Sequence, residues 1–124
     1  MKIYLRKLFA HDITHEVSVT ETIISEFFDN QRDNMIFVHE GRENGTEYKV
    51  CINKSKDARF GGDFKAIYRE DNVKEGDILA IKKLPDGRYS LSVIFENSPL
   101  HEQTDLIFDG KERHAITDVI ILKR

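Results

Sequence analysis

Residues 59–96 read RFGGDFKAIYREDNVKEGDILAIKKLPDGRYSLSVIFE, and the order of turns and strands in this stretch is the most informative feature of the chain. Gly61-Gly62 forms a tight turn, because adjacent glycines tolerate backbone angles that other residues resist. Phe64 to Arg69 then reads as an aromatic-rich strand, with Phe64, Ala66 and Tyr68 on one face and Ile67 on the other. Asp71 to Asp77 reads as a polar turn with one helical twist, and it carries the tetrad Lys74-Glu75-Gly76-Asp77. Ile78 to Lys82 is apolar on both faces, the mark of an interior strand. Pro85-Asp86-Gly87 closes a hairpin. Tyr89, Leu91, Val93 and Phe95 alternate with Ser90 and Ser92, as a half-buried strand requires.

Working outward, Ile3 to Phe9 reads as the first strand, and Ala10 to Glu16 as a polar loop. Ser18-Val19-Thr20-Glu21 has the form of a capping box. Ile23, Ile24, Phe27 and Phe28 follow at helical spacing, so Val19 to Phe28 reads as a short amphipathic helix ended by the polar run 29–34. Met35 to Glu40 is a strand, 41–45 a turn, and Thr46 to Asn53 the next strand, with Tyr48, Val50 and Ile52 on one face. A basic loop covers Lys54 to Gly62. Asn97 to Thr104 reads as a loop, and Leu106–Phe108 with Ala115–Leu122 as a final hairpin around Asp109-Gly110. Short strands in this number, with one clear helix, point to a closed or nearly closed barrel that leaves few exposed edges.

The chain has 124 residues, 40% hydrophobic and 33% charged, which fits one soluble domain. It reads either as a complete protein or as the N-terminal domain of a larger one. No run approaches the roughly 18 apolar residues of a membrane helix. Charges at Lys2, Arg6 and Lys7 come too early for a secretion signal, so the expected location is the cytoplasm. Cys51 is the only cysteine, which excludes an intrachain disulfide and a cysteine-built zinc cage. The net charge of −3 argues against wholesale polyanion binding, but a local basic face satisfies phosphate contact. The charges are uneven. Between Lys49 and Arg69 the cations are Lys49, Lys54, Lys56, Arg59, Lys65 and Arg69, against the acids Asp57 and Asp63. Between Glu16 and Glu47 acids dominate.

The order of elements, with Gly61-Gly62-Asp63-Phe64, the polar turn Asp71-Asn72 and the run Val73-Lys74-Glu75-Gly76-Asp77-Ile78-Leu79-Ala80-Ile81, resembles the B-three DNA-binding pseudobarrel. Plant transcription factors and the recognition domains of bacterial restriction endonucleases carry that fold. The match covers residues 59–96 well and 1–58 in outline, and it does not extend to 97–124. Asp63 stands where the plant pattern has a tryptophan, and the plant Ile-Pro entry to the helix is absent. These departures favour the bacterial restriction branch. The resemblance implies a mainly β (β-rich α+β) fold, a seven- to eight-stranded open pseudobarrel with one or two short helices. It also implies a reader of double-stranded DNA in a restriction-modification system. Catalysis would then lie on a separate catalytic or motor domain or subunit, with no cofactor, no metal and no membrane partner.

By the same resemblance two loops enter the major groove. The first spans Lys7 to His15 and includes His11, Asp12, Thr14 and His15. The second spans Asn53 to Arg59 and includes Lys54, Ser55, Lys56 and Asp57. The chemistry suits the part. Lys54, Lys56 and Arg59 can neutralise phosphates, and Arg59 can take a guanine edge with both arms of its fork. Asn53 can pair with adenine, Asp57 can accept from cytosine, and His11, Thr14 and His15 can reach base edges or phosphate oxygens.

Other readings compete. The basic loop is also what a solvated hairpin looks like, and the Gly76-Asp77 turn also occurs in antitoxin-like regulators. A protein-interaction barrel would work through the acidic stretch 16–47. Glu47-Tyr48-Lys49 and Asp63-Phe64-Lys65 imitate half of a magnesium nuclease core, which needs a further acid on a neighbouring strand. His11 and His15 have a metal-like spacing without a partner carboxylate motif. The aromatic residues fit a stacking platform for single strands, but their alternation fits barrel core better.

Overall fold

A computed structural model describes residues 1–42, 45–108 and 112–118. Among these residues seven strands form one mixed sheet: β1 (Lys2–Lys7), β2 (Met35–His39), β3 (Glu47–Ile52), β4 (Phe60–Gly62), β5 (Ile78–Lys83), β6 (Tyr89–Ile94) and β7 (His114–Asp118). Their order across the sheet is β4-β3-β2-β6-β5-β1-β7. Only β2 and β6 pair in parallel; every other neighbour is antiparallel. The sheet curls into an open half-barrel, mainly β, with β4 and β7 at its free edges. Four short helices accompany it among the described residues: α1 (Ala10–Thr14), α2 (Glu21–Glu26), α3 (Phe64–Ile67) and α4 (Pro99–Asp105).

Strand alternation divides the apolar residues between two cores. In β5, Leu79 and Ile81 face the large inner core, while Ile78 and Ala80 face a smaller outer one. In β1, Tyr4 faces inward and Ile3 and Leu5 outward. The inner core is aromatic. Phe28 meets Tyr4 and Phe60 edge-on, at 5.9 and 5.8 Å between centroids, and Tyr89 at a tilt, at 5.2 Å. Leu100 and Ile107 pack over the outer core with Phe108. This second cover explains why β5 is apolar on both faces in a mostly antiparallel sheet. No helix among the described residues is long and apolar enough to cross a membrane.

The structure departs from the expected elements at six places. Phe60–Gly62, read as the end of the basic loop with a glycine turn, pairs with β3 as strand β4. Residues 10–14 form α1 rather than open loop. The second helix begins later than expected, because Thr20 caps it by accepting from the Ile23 amide at 3.2 Å. Ser18 is no cap: its carbonyl and hydroxyl both accept from Arg6. The strand expected over Phe64–Arg69 is α3 followed by a 3-10 turn, Arg69–Asp71. Gly62 ends β4 with φ +65, and Phe64, Ile67 and Tyr68 lie at i, i+3 and i+4, so the buried set is a helical face. Residues 99–105 form α4, started by Pro99 in the first turn where its missing amide costs nothing. Leu106–Phe108 is a turn, not a strand, with Leu106 exposed. β7 pairs with β1 instead. The expected Asp109-Gly110 turn and the strand's extension to Leu122 lie outside the described residues. The mainly β, seven-stranded open half-barrel matches the open pseudobarrel that the resemblance implies, with four short helices among the described residues where one or two were expected.

One pH dependence follows from β7. The Tyr4 hydroxyl, pushed up in pKa by burial, is hydrogen-bonded to His114 Nδ1 at 2.8 Å. Burial, with Arg6 and Arg113 nearby, lowers the His114 pKa from 6.5 to about 4. Between those values the unfolded chain takes up a proton that the folded one refuses, so stability falls as pH drops through this window. The loss is complete below it and absent above pH 6.5. Denaturation midpoints measured against pH should therefore slope down from 6.5 towards 4 by more in the wild type than in His114→Gln. Parallel slopes would show that His114 stays solvated.

Candidate nucleic-acid interface

The first arm leaves β1 at Lys7 and turns at once into α1. Its base is fastened to the Lys74–Asp77 turn: the Leu8 amide donates to the Asp77 carbonyl at 2.9 Å, and the Gly76 amide to the Leu8 carbonyl at 2.8 Å. Asp77 is buried and accepts from the Lys74 and Glu96 amides, each at 2.8 Å. This tetrad is therefore a brace. Lys7 reaches Asp105 of α4 at 2.6 Å. His11, Thr14 and His15 stand exposed at the end of the arm. The two imidazoles stack face to face, 4.1 Å between centroids and 9° apart, and Thr14 Oγ1 lies 2.8 Å from His15 Nδ1.

Asp12 has a different environment from its neighbours. It is buried, with Oδ2 accepting from the Phe9 amide at 2.8 Å in the manner of half a capping box. Both its oxygens also accept from Arg6, at 3.0 and 2.8 Å. Asp12 thus shapes the arm from inside.

The second arm, between β3 and β4, is shaped by its own polar groups. Asn53 Oδ1 accepts from the Arg59 amide and the Ser55 hydroxyl, both at 3.1 Å. Ser55 Oγ also lies 3.0 Å from the Asp57 carbonyl. Asp57 holds the Arg59 guanidinium through Nε at 3.1 Å and a terminal nitrogen at 2.5 Å, which raises the Arg59 pKa above its ordinary value. Lys54 lies 3.7 Å from Asp33, a long and exposed pair. Lys56 is exposed.

The two arms meet at their bases. Ser18, just beyond the first arm, forms an isolated antiparallel bridge with Arg59 of the second. Val19 donates to the Ala58 carbonyl at 3.0 Å, and Phe60 to the Val17 carbonyl at 2.9 Å. Lys65 of α3 adds a bond to the Ile13 carbonyl at 3.0 Å. Partial burial lowers the Lys65 pKa, against the pull of Asp12 and Glu16. The sequence reading missed Arg6 and Ser18, the residues that join the arms. A signal was present: Arg6 lies in phase with inward-facing Tyr4 on an apolar strand, where a charge needs a buried partner.

Four acids of the stretch 16–47 are in close ion pairs. Glu21 pairs with Arg32, Asp29 with Lys83, Glu40 with Lys82 and Glu47 with Arg88. Among the described residues no three of the His, Cys, Asp and Glu side chains cluster as a metal site.

No family model matches the chain, and no curated protein matches it in sequence. Among solved structures it is similar to the N-terminal domain of Helicobacter pylori LlaJI.R1, with a TM-score of 0.81 and 23% identity. The match covers 95% of this chain and 98% of that one. At this identity the likeness establishes the shared fold.

Proposed function

We propose that this domain binds double-stranded DNA with sequence or modification specificity, as the target-recognition module of a restriction-modification system. The carrying observation is the pair of adjacent arms. Two polar loops from distant parts of the chain are bonded together at their bases and exposed at their ends. The solved neighbour supports the setting, since it belongs to a restriction-system protein. The resemblance to the B-three pseudobarrel points the same way. In this reading His11, Thr14 and His15 of one arm and Lys54, Lys56 and Arg59 of the other face the major groove. Asp12, Asn53, Ser55 and Asp57 set the shape of the loops, and Lys7 steadies the first. Catalysis belongs to another domain or subunit. Four acids between 16 and 47 are in ion pairs, which favours this reading over a protein-interaction barrel working through that stretch.

Substitution separates the two kinds of contact. Lys56→Ala should weaken binding evenly across sequences and flatten the slope of log affinity against log salt by about 0.9, the share of one phosphate. Arg59→Ala should cost about 1–3 kcal/mol and relax preference at a single base pair. Anisotropy titrations over a salt series measure both. Wild-type affinity in both variants would remove the second arm from the interface.

A further inference from the structure

Arg6 is the only arginine among the described residues that is buried. All five of its N–H donors find acceptors. Nε donates to the Ser18 carbonyl at 3.0 Å. One terminal nitrogen donates to Asp12 Oδ2 at 3.0 Å and to the Lys7 carbonyl. The other donates to Asp12 Oδ1 at 2.8 Å and to the Ser18 hydroxyl at 3.0 Å. Asp12 belongs to the helix of the first arm, and Ser18 pairs with Arg59 at the root of the second. A single rigid fork therefore holds both arms.

Net stability is a weak reason for such a group. Replacing a buried ion pair by packed apolar residues is often neutral or stabilising. What a guanidinium fork supplies in addition is direction, because its donors lie in one plane at fixed angles. Two loops entering one major groove, about 12 Å wide, need a fixed mutual spacing. Ordering them during folding spares that entropy at binding.

We infer that Arg6 is a positioning residue of the DNA-binding surface: through Asp12 and Ser18 it fixes the orientation of the first arm relative to the second. This rests on the DNA-binding reading above. If loss of the fork leaves the aligned arrangement about one-tenth populated, affinity falls about tenfold.

The test separates positioning from stability. Spin labels on cysteines placed at Thr14 and Lys56, with Cys51→Ser, report the distance between the arms by double electron–electron resonance. Arg6→Met/Asp12→Asn removes the fork and its counter-charge while leaving a side-chain oxygen at position 12 to accept from the Phe9 amide, and Ser18→Ala removes one acceptor of the fork. Circular dichroism checks that each variant is folded. The expected result is a narrow distance distribution in the parent and a broadened one in both variants. Duplex affinity, measured in chains without the label cysteines, should drop about tenfold in the double variant even where its melting temperature matches the wild type's. If only Ser18→Ala folds, its broadening carries the test alone. Unchanged widths in the folded variants would overturn the inference. Failure of the wild type to bind any duplex would overturn the DNA reading instead, and the width comparison would still decide the joint.

Discussion

Asp12→Ala should lower the stability of the domain by about 3–5 kcal/mol, the usual result of stripping a buried charge of its partner. The side chains of Arg6 and Asp12 are 0% and 1% exposed. With the carboxylate gone, the guanidinium keeps only carbonyl and hydroxyl acceptors and has no counter-charge in a space it shares with Tyr4 and Tyr68. The Phe9 amide also loses its acceptor, so the first turn of α1 loosens. A loss of this size is a large part of the roughly 5–15 kcal/mol that holds an ordinary domain together. Urea denaturation should show a lower midpoint at an unchanged slope. A change under about 1 kcal/mol, the value of an exposed pair, would mean that Arg6 reaches water in the variant.

Phe64→Ala should cost about 3–5 kcal/mol, as expected for deleting a fully buried ring. Phe64 stacks on Phe60 at 4.2 Å and 8°, and meets Phe37 and Tyr68 edge-on at 5.8 and 5.7 Å. The consequence extends beyond the cavity. α3 has four residues, far fewer than the roughly 12–15 at which an isolated helix becomes even marginal in water. Packing of Phe64 and Ile67 is what keeps it helical. Once it loosens, Lys65 loses its fixed reach to the Ile13 carbonyl, and the first arm loses an outside support. Amide hydrogen exchange should therefore speed up over 64–71 by more than over β5 and β6. Uniform acceleration across all these elements would show that α3 opens only with the whole domain.

The sheet was legible where patterning was local. The two-faced apolar run at Ile78 gave β5, and alternation from Tyr89 gave β6 to within a residue of its observed end. The hairpin between them formed where Pro85-Asp86-Gly87 placed it: Leu84 donates to the Arg88 carbonyl at 2.7 Å and Gly87 has φ +91. α3 was misread because Phe64, Ala66 and Tyr68 alternate while Phe64, Ile67 and Tyr68 also satisfy a helical face. A stretch that short fits both periods, and tertiary packing chose between them. α4 was missed because its polar sequence shows little amphipathic pattern; its packing rests on the outer core, which no local pattern announces. The two arms were legible in outline, as segments between recognisable strands. What joins them was not. The pairing of Arg6 with Asp12 and Ser18 depends on which way β1 faces and on how the chain returns past it. Asp12 consequently looked like a groove-facing acid, although the fold buries it.

Duplex recognition is open to a single test by fluorescence anisotropy. Random-sequence duplex, a methylated duplex pool and single-stranded DNA are titrated with the protein at two salt concentrations. A DNA reader should bind duplex over single strand, weakening with salt by a log–log slope of roughly −0.9 for each phosphate neutralised. It should also show preference within the duplex pools. Absence of binding to every duplex at low salt would refute duplex recognition.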